Sequence, residues 1–80
     1  MNNSNINLLT LRDLIKKLAL SRSTIYRKLK PTAKGYDPTF PKPKKIGPGS
    51  VRWVLSEVEQ WIIQQTSKNY DRDEFEHLHL

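Results

Sequence analysis

The sequence predicts a mainly α-helical domain in which three helices are combined with one small β-hairpin. Apolar residues recur at helical spacing in three segments, and each segment begins at a Ser or Thr that can cap a helix. Two short β-prone segments, 44–46 and 51–54, flank the sequence Gly-Pro-Gly-Ser at 47–50, which is typical of a hairpin. A chain of 80 residues is long enough for one such domain with a modest core.

The first helix is expected to begin at Thr10. Four apolar residues from Leu11 to Leu18 follow at spacing i, i+3, i+4 and i+7, which places them in one stripe on a helix. The Thr10 side chain can cap the first turn, and Asp13 stands three residues later in a variant of the capping box. This helix is only about two turns long, so it requires tertiary packing to persist.

The second helix is expected to begin after a tight link, with Ser21 as its N-cap. Ile25 and Leu29 are four residues apart and form its inner face. The helix should end near Lys30, because Pro31 disfavours helical geometry in the residue before it. Together the first two helices predict a helix-turn-helix.

A proline-rich loop over residues 31–43 should connect the second helix to the hairpin, with Phe40 as its anchor in the core. The hairpin is expected to have a four-residue connection, residues 47–50. Alternation along its second strand places Val51 and Trp53 on one face and Arg52 on the other. A hairpin in this position completes a winged helix-turn-helix.

The third helix is expected to begin at Ser56, with Glu59 completing a capping box, and to end around residues 67–68. Trp61 lies on its apolar face, and Trp53 lies on the apolar face of the hairpin. Both are therefore assigned to the core rather than to base stacking of the kind found in single-strand binders.

The net charge of +6 is unevenly distributed along the chain. Residues 1–56 hold 12 basic and 2 acidic side chains, whereas residues 57–80 hold 2 basic and 6 acidic ones. A basic body with an acidic end favours a polyanion partner, most often nucleic acid. We therefore expect a flexible N-terminal arm (1–7), a DNA-binding domain (8–68) and an acidic C-terminal tail (69–80).

The second helix of a helix-turn-helix can enter the major groove and meet base edges with its N-terminal residues. The candidates for base reading are Arg22, Ser23 and Arg27, because Arg can hold a guanine through two acceptors and Ser can bond to several bases. Four neighbours are better suited to phosphate contacts, which position the protein without specifying a sequence: Thr24, Tyr26, Lys28 and Lys30. The alternative is a solvated basic face on an ordinary surface helix.

The wing supplies further cations that can follow a phosphate backbone or reach the minor groove. The wing candidates are Lys42, Lys44, Lys45 and Arg52. Lysines on an exposed edge strand also prevent sheets from aggregating, so the two roles are both open.

Several other classes of site are not expected. The chain has no cysteine, and the pair His77 and His79 lacks further ligands for a zinc site. Glu57 and Glu59 lack a cleft and a partner for catalysis, and no nucleophile arrangement or phosphate-binding glycine loop is present. We therefore expect no enzyme activity, metal or cofactor. The lack of a signal peptide and of a run of ~20 apolar residues favours a cytoplasmic protein.

The sequence resembles the AlpA family of phage-derived regulators, within the excisionase-like and MerR-like winged-helix group. Four stretches carry the resemblance: L-L-T-L-R-D-L-I at 8–15, L-S-R-S-T-I-Y-R at 20–27, F-P-K-P-K-K-I-G at 40–47 and S-V-R-W-V-L-S-E-V-E-Q-W-I at 50–62. The resemblance implies a winged helix-turn-helix in which residues 21–30 are the recognition helix and Arg52 belongs to the wing. The loop before F-P is longer here than is usual in the family.

The resemblance also implies the functions to be weighed. Such proteins activate integrase or excision genes of prophages, or act as excision factors that bend DNA and assist an integrase. A regulator of this kind would be associated with the bacterial nucleoid, monomeric in solution and cooperative on DNA. The alternative from another class is a small protein-binding regulator that docks through its acidic tail. RNA is a less suitable partner, because a helix cannot read the deep, narrow groove of A-form RNA.

Overall fold

The computed structural model describes residues 7–67. Residues 1–6 and 68–80, which include most of the predicted arm and the whole of the predicted tail, lie outside the described part. The predicted winged helix-turn-helix is confirmed, with three helices and a small antiparallel sheet. The elements in chain order are β1 (Leu8–Leu9), α1 (Leu11–Leu18), α2 (Arg22–Leu29), β2 (Lys44–Gly47), β3 (Ser50–Val54) and α3 (Leu55–Thr66).

Local capping defines α1 as the sequence predicts. The Thr10 Oγ1 accepts a hydrogen bond from the Asp13 N–H at 3.0 Å, and the Asp13 carboxylate accepts one from the Thr10 N–H at 3.0 Å. Hydrogen bonds from Thr10 lower the pKa of Asp13. The bond from the Thr10 backbone has the largest effect, and the bond from the Thr10 side chain has the next largest. At the other end Ala19 adopts φ 56° in the left-handed region, which ends α1 and turns the chain toward Ser21, the N-cap of α2.

Strand β1 was not predicted from the sequence, because two residues show no periodicity. It pairs antiparallel with β3, with Leu8 opposite Val54 and Leu9 opposite Trp53, so the strand order is β1-β3-β2. β3 is therefore the central strand of the sheet. The pairing extends to the start of α3, where the Leu55 N–H donates to the Asn7 carbonyl at 2.9 Å.

The predicted capping box at the start of α3 is wrong. The helix begins at Leu55, directly after β3, and Val54 occupies the N-cap position without a side-chain cap. Ser56 therefore lies inside the first turn. The physical reason is the β1–β3 pairing, because it holds Val54 in extended geometry and satisfies the Leu55 N–H with a backbone carbonyl instead of a side chain.

The predicted four-residue hairpin connection is also wrong, because Ser50 pairs with Gly47 and only Pro48 and Gly49 connect the strands. Gly49 has φ 69°, and Pro followed by a residue with positive φ is the combination that a type II turn uses. Such a turn splays hairpin strands, and a register irregularity between Lys45 and Gly47 accommodates it.

The core gathers one or two large side chains from each helix, from β3 and from the loop. Its buried members are Leu14, Ile25, Phe40, Trp53, Val58 and Trp61. The assignments of both tryptophans and of Phe40 to the core are confirmed. Val51 lies two residues before Trp53 on the same strand, but it is 41 % exposed because it is beyond the edge of the core.

The loop over residues 31–43 is organised around Asp37. One carboxylate oxygen accepts from the Thr39 N–H at 2.9 Å and from its hydroxyl at 2.6 Å, while the other accepts from the Trp61 Nε1–H at 3.1 Å. The Asp37 N–H donates to the Lys28 carbonyl at 3.0 Å. The loop is thereby bound to the end of α2 and to the middle of α3.

Hydrogen bonding makes Asp37 sensitive to acid. Partial burial acts to raise its pKa, but the hydrogen bonds from Thr39 and Trp61 and the charge of Lys28 outweigh burial and leave the pKa below its ordinary value of 3.8. The stabilisation by the carboxylate is therefore complete above pH 3.8 and is lost as the pH falls through the lower pKa of the folded state.

The Asp37→Asn variant should lose about 1–2 kcal/mol of unfolding free energy at pH 7, because it weakens bonds to a charged acceptor. The difference from the parent protein should shrink below pH 3.8, where the parent carboxylate becomes protonated. Urea unfolding followed by tryptophan fluorescence at several pH values measures both effects. Glu59→Gln is the control, and a constant difference between Asp37→Asn and the parent at all pH values would contradict the assignment.

Phe40 should contribute far more to stability than the other aromatic residue of its loop. Its side chain is 1 % exposed, whereas that of Tyr36 is 37 % exposed. Phe40→Ala should cost about 3–5 kcal/mol, enough to unfold much of a domain of this size at 25 °C. Tyr36→Ala should cost clearly less, about 1 kcal/mol. Thermal unfolding followed by circular dichroism compares the two, and equal losses would show that Phe40 is not the anchor.

Candidate nucleic-acid interface

The exposed surface of α2 carries the predicted recognition residues. Ser23 and Arg27 are exposed at positions i and i+4, and Lys30 follows at the C-cap, so the three lie along one line. We call this line the α2 stripe. It is about 10 Å long at 1.5 Å per residue, and α2 contains no acidic residue. Arg22 is exposed at the start of the helix, and Tyr26 is 51 % exposed beside the stripe.

The N-terminus of α2 is shaped by Ser21. Its Oγ accepts from the Thr24 N–H at 3.1 Å and donates to the Thr24 Oγ1 at 2.9 Å. The half-buried Thr24 hydroxyl therefore has an internal partner. Arg22 and Ser23, in the first turn, are exposed at the helix end that favours an anion, and the Ser23 Oγ also lies 3.5 Å from the Ser21 Oγ.

Lys28 lies away from the α2 stripe. Its Nζ is 5.6 Å from the centroid of the Trp61 ring, and its carbonyl accepts from the Asp37 N–H. A cation over an indole face is a favourable arrangement that holds α2 against α3. The structure thus gives Lys28 a role within the fold, whereas its predicted phosphate contact stays a prediction.

The wing brings two of its predicted cations directly opposite each other. Lys44 on β2 pairs with Arg52 on β3, and like charges in such positions repel. The Lys44 Nζ is 3.5 Å from the carboxylate of Glu57 in the first turn of α3, which reduces this repulsion. Arg52 donates from Nη1 to the Val51 carbonyl at 2.7 Å, and Lys42 and Lys45 are exposed.

The sequence analysis did not identify the contacts made by Asp37 and Glu57. The segment Asp37-Pro38-Thr39 is typical of a turn in which an Asp side chain bonds to the backbone two residues on, so a local signal for Asp37 was present. The contact between Lys44 and Glu57 joins residues on different elements, and no sequence pattern indicates it.

The described part of the chain holds neither a membrane-spanning helix nor a metal site. No helix within residues 7–67 has the length and apolar character of a membrane span. The same residues contain no group of three side chains able to hold a metal ion. His77 and His79, which were not expected to form a zinc site, lie outside these residues.

Comparison with known proteins agrees with the fold and the basic surface. The family model described as "Prophage CP4-57 regulatory protein (AlpA)" matches residues 7–66. A curated relative, the "DNA-binding transcriptional activator AlpA" of Escherichia coli (strain K12), is 39 % identical over 64 residues, which are 80 % of this chain and 91 % of the relative. No solved structure gives a significant match.

Both descriptions are those of a regulator, which confirms the prediction that the chain is not an enzyme. The resemblance inferred from four short sequence stretches is also confirmed, since the matched residues 7–66 include all of them. The chain belongs to the AlpA family of prophage regulatory proteins.

Proposed function

We propose that this chain is a sequence-specific double-stranded DNA-binding protein that regulates transcription in a prophage or other mobile element. The observation that carries the proposal is the exposed α2 stripe, which presents Ser23, Arg27 and Lys30 on the second helix of a helix-turn-helix without an acidic neighbour in that helix. The name of the curated relative supports both parts of the proposal, DNA binding and activation of transcription.

In the proposed complex, α2 lies in the major groove with its N-terminus toward the bases. Arg22, Ser23 and Arg27 meet base edges, and an Arg that holds a guanine through two acceptors gives the largest discrimination. Thr24, Tyr26, Lys28 and Lys30 contact phosphates and fix the register of the helix on the duplex. The genes that it regulates are those for integration or excision.

The wing contributes affinity that is independent of sequence. Its cations Lys42, Lys44, Lys45 and Arg52 follow the phosphate backbone beside the segment read by α2. This arrangement also favours a second candidate function, an excision factor that bends DNA for an integrase, because a basic ribbon beside a recognition helix can hold bent flanking DNA. We propose a monomer in solution that binds cooperatively on DNA in the cytoplasm.

The test of the proposed function is DNA affinity as a function of salt. The regulatory region and attachment site of the host element are compared with scrambled DNA of equal length. A preference of about 10³-fold that survives near physiological salt is expected for a specific regulator. Weak binding to both DNAs that disappears with salt would contradict the proposal and favour a small protein-binding regulator instead.

Arg27→Ala should weaken binding to the preferred site by about 1–3 kcal/mol and remove the preference at one base pair. Lys34→Ala removes the same charge from an exposed position of the loop over residues 31–43 and is the matched control. Lys34→Ala should weaken binding to all DNA sequences slightly and equally. Competition binding against a set of single-base substitutions measures both variants, and a uniform loss for Arg27→Ala would show that Arg27 touches phosphate.

Glu57→Gln should strengthen binding to every DNA sequence by a small factor, because it releases Lys44 from its acidic partner. Glu59→Gln changes the net charge equally on the same helix and has no such partner in the described residues. Affinities at low and physiological salt distinguish the two. Equal gains would show that only the net charge matters and that Lys44 is outside the interface.

A further inference from the structure

We propose that the tip of the wing is an apolar wedge that enters the minor groove of duplex DNA and opens a base step. The wing tip is defined as Ile46, Pro48 and Val51. This inference rests on the proposed function, because duplex DNA is its partner. It goes beyond phosphate contact by the wing, since it assigns a task to side chains that carry no charge.

The wing tip exposes apolar side chains on both strands of the hairpin. Ile46 is 52 % exposed and Val51 is 41 % exposed, although both are large β-branched residues. Pro48 is also exposed in the turn between them. The three residues lie within six positions of one hairpin, so their exposed surfaces belong to a single local region rather than to scattered positions.

The backbone itself places Ile46 outward. In the register of β2 and β3, Lys45 pairs with Val51 and Gly47 pairs with Ser50, so Ile46 is the residue without a partner. Such an irregularity bends a strand and changes the direction of a side chain. The wing tip is thus formed by a bulge next to a tight turn, while the buried Trp53 holds the base of the same strand in the core.

The charges around the wing tip select the partner. Lys44, Lys45 and Arg52 occupy the adjacent rows of the same hairpin, and the nearby acidic group, Glu57, contacts Lys44 at the base of the wing. An apolar tip flanked by cations is complementary to a partner that has anionic groups at its surface and apolar surfaces between them. Duplex DNA has this combination, with phosphates along each groove and stacked bases between them.

The dimensions of the hairpin require the groove to open. Its two strand backbones are about 4.8 Å apart, so with its side chains the tip is wider than a minor groove of about 6 Å and enters only as the groove widens. Three residue steps place Ser50 about 10 Å beyond Trp53 along β3, which carries the tip clear of the core. Ile and Pro are among the residues that known minor-groove wedges insert between bases, where they kink the duplex.

The experiment uses the full 80-residue chain and the duplex of its host element that it binds. The DNA carries 2-aminopurine at each pyrimidine–purine step in turn, and a second version carries a fluorescence donor and acceptor at its ends. The test variant is Ile46→Ser combined with Val51→Ser. The matched control is Ile63→Ser, which removes an isoleucine of α3 that is 56 % exposed.

With the parent chain, 2-aminopurine fluorescence should rise at one step beside the α2 site and the DNA ends should approach. The double variant should retain binding within about tenfold and lose most of both signals, whereas Ile63→Ser should behave as the parent. Because all three positions are exposed, the variants should keep the circular dichroism of the parent.

An unchanged fluorescence and end-to-end distance in the double variant, with binding retained, would overturn the wedge. Loss of cooperativity between adjacent sites with the same bend at each would also overturn it, and would show that the tip contacts a second copy of the chain. Failure of the proposed function is a different result, in which the parent chain binds the host duplex and scrambled DNA equally. In that case the wedge is still tested, because the bend produced by the parent chain and by the double variant can be compared on either DNA.

Discussion

The contact between Trp61 and residues 37–40 is the interaction on which the arrangement of α2 and α3 depends. The Trp61 ring lies edge-to-face with Phe40 at 4.9 Å, its Nε1–H donates to Asp37, and the Lys28 amine stands over its face. Three segments that are distant in sequence therefore meet at one indole. Since Asp37 also bonds to the backbone of Lys28, the loop and α3 together fix the end of α2, and with it the direction in which the α2 stripe points.

Three of the four acidic residues of the described domain make contacts within the fold, although only Asp37 is partly buried. Residues 7–67 contain 12 basic and 4 acidic side chains. Asp13 caps α1, Asp37 binds the loop to α3, and Glu57 pairs with Lys44. None of these carboxylates lies on α2 itself, although Asp37 is close enough to Lys28 for the charge of that lysine to affect its pKa. The basic character needed for the proposed function is therefore a consequence of where the acids lie as well as of the number of lysines and arginines.

The sequence predicts the features that depend on local chemistry and fails where distant pairing decides. The caps at Thr10 and Ser21 and the core positions of Trp53 and Phe40 follow from spacing and side-chain type. Ser56 has the spacing of a capping box, but the pairing of β1 with β3 removes its role. The exposed α2 stripe could be read from helical spacing, whereas the bulge at Ile46 depends on the register of two strands.

The central position of β3 has a mechanical consequence. One strand carries the wing at its beginning, packs Trp53 into the core, pairs with β1 and continues without a break into α3. The wing is therefore an extension of the core, and no loop separates its second strand from α3. A DNA partner that meets both α2 and the wing must adapt its own curvature to this fixed separation, so stiff and flexible sequences would differ in affinity even where no side chain touches a base.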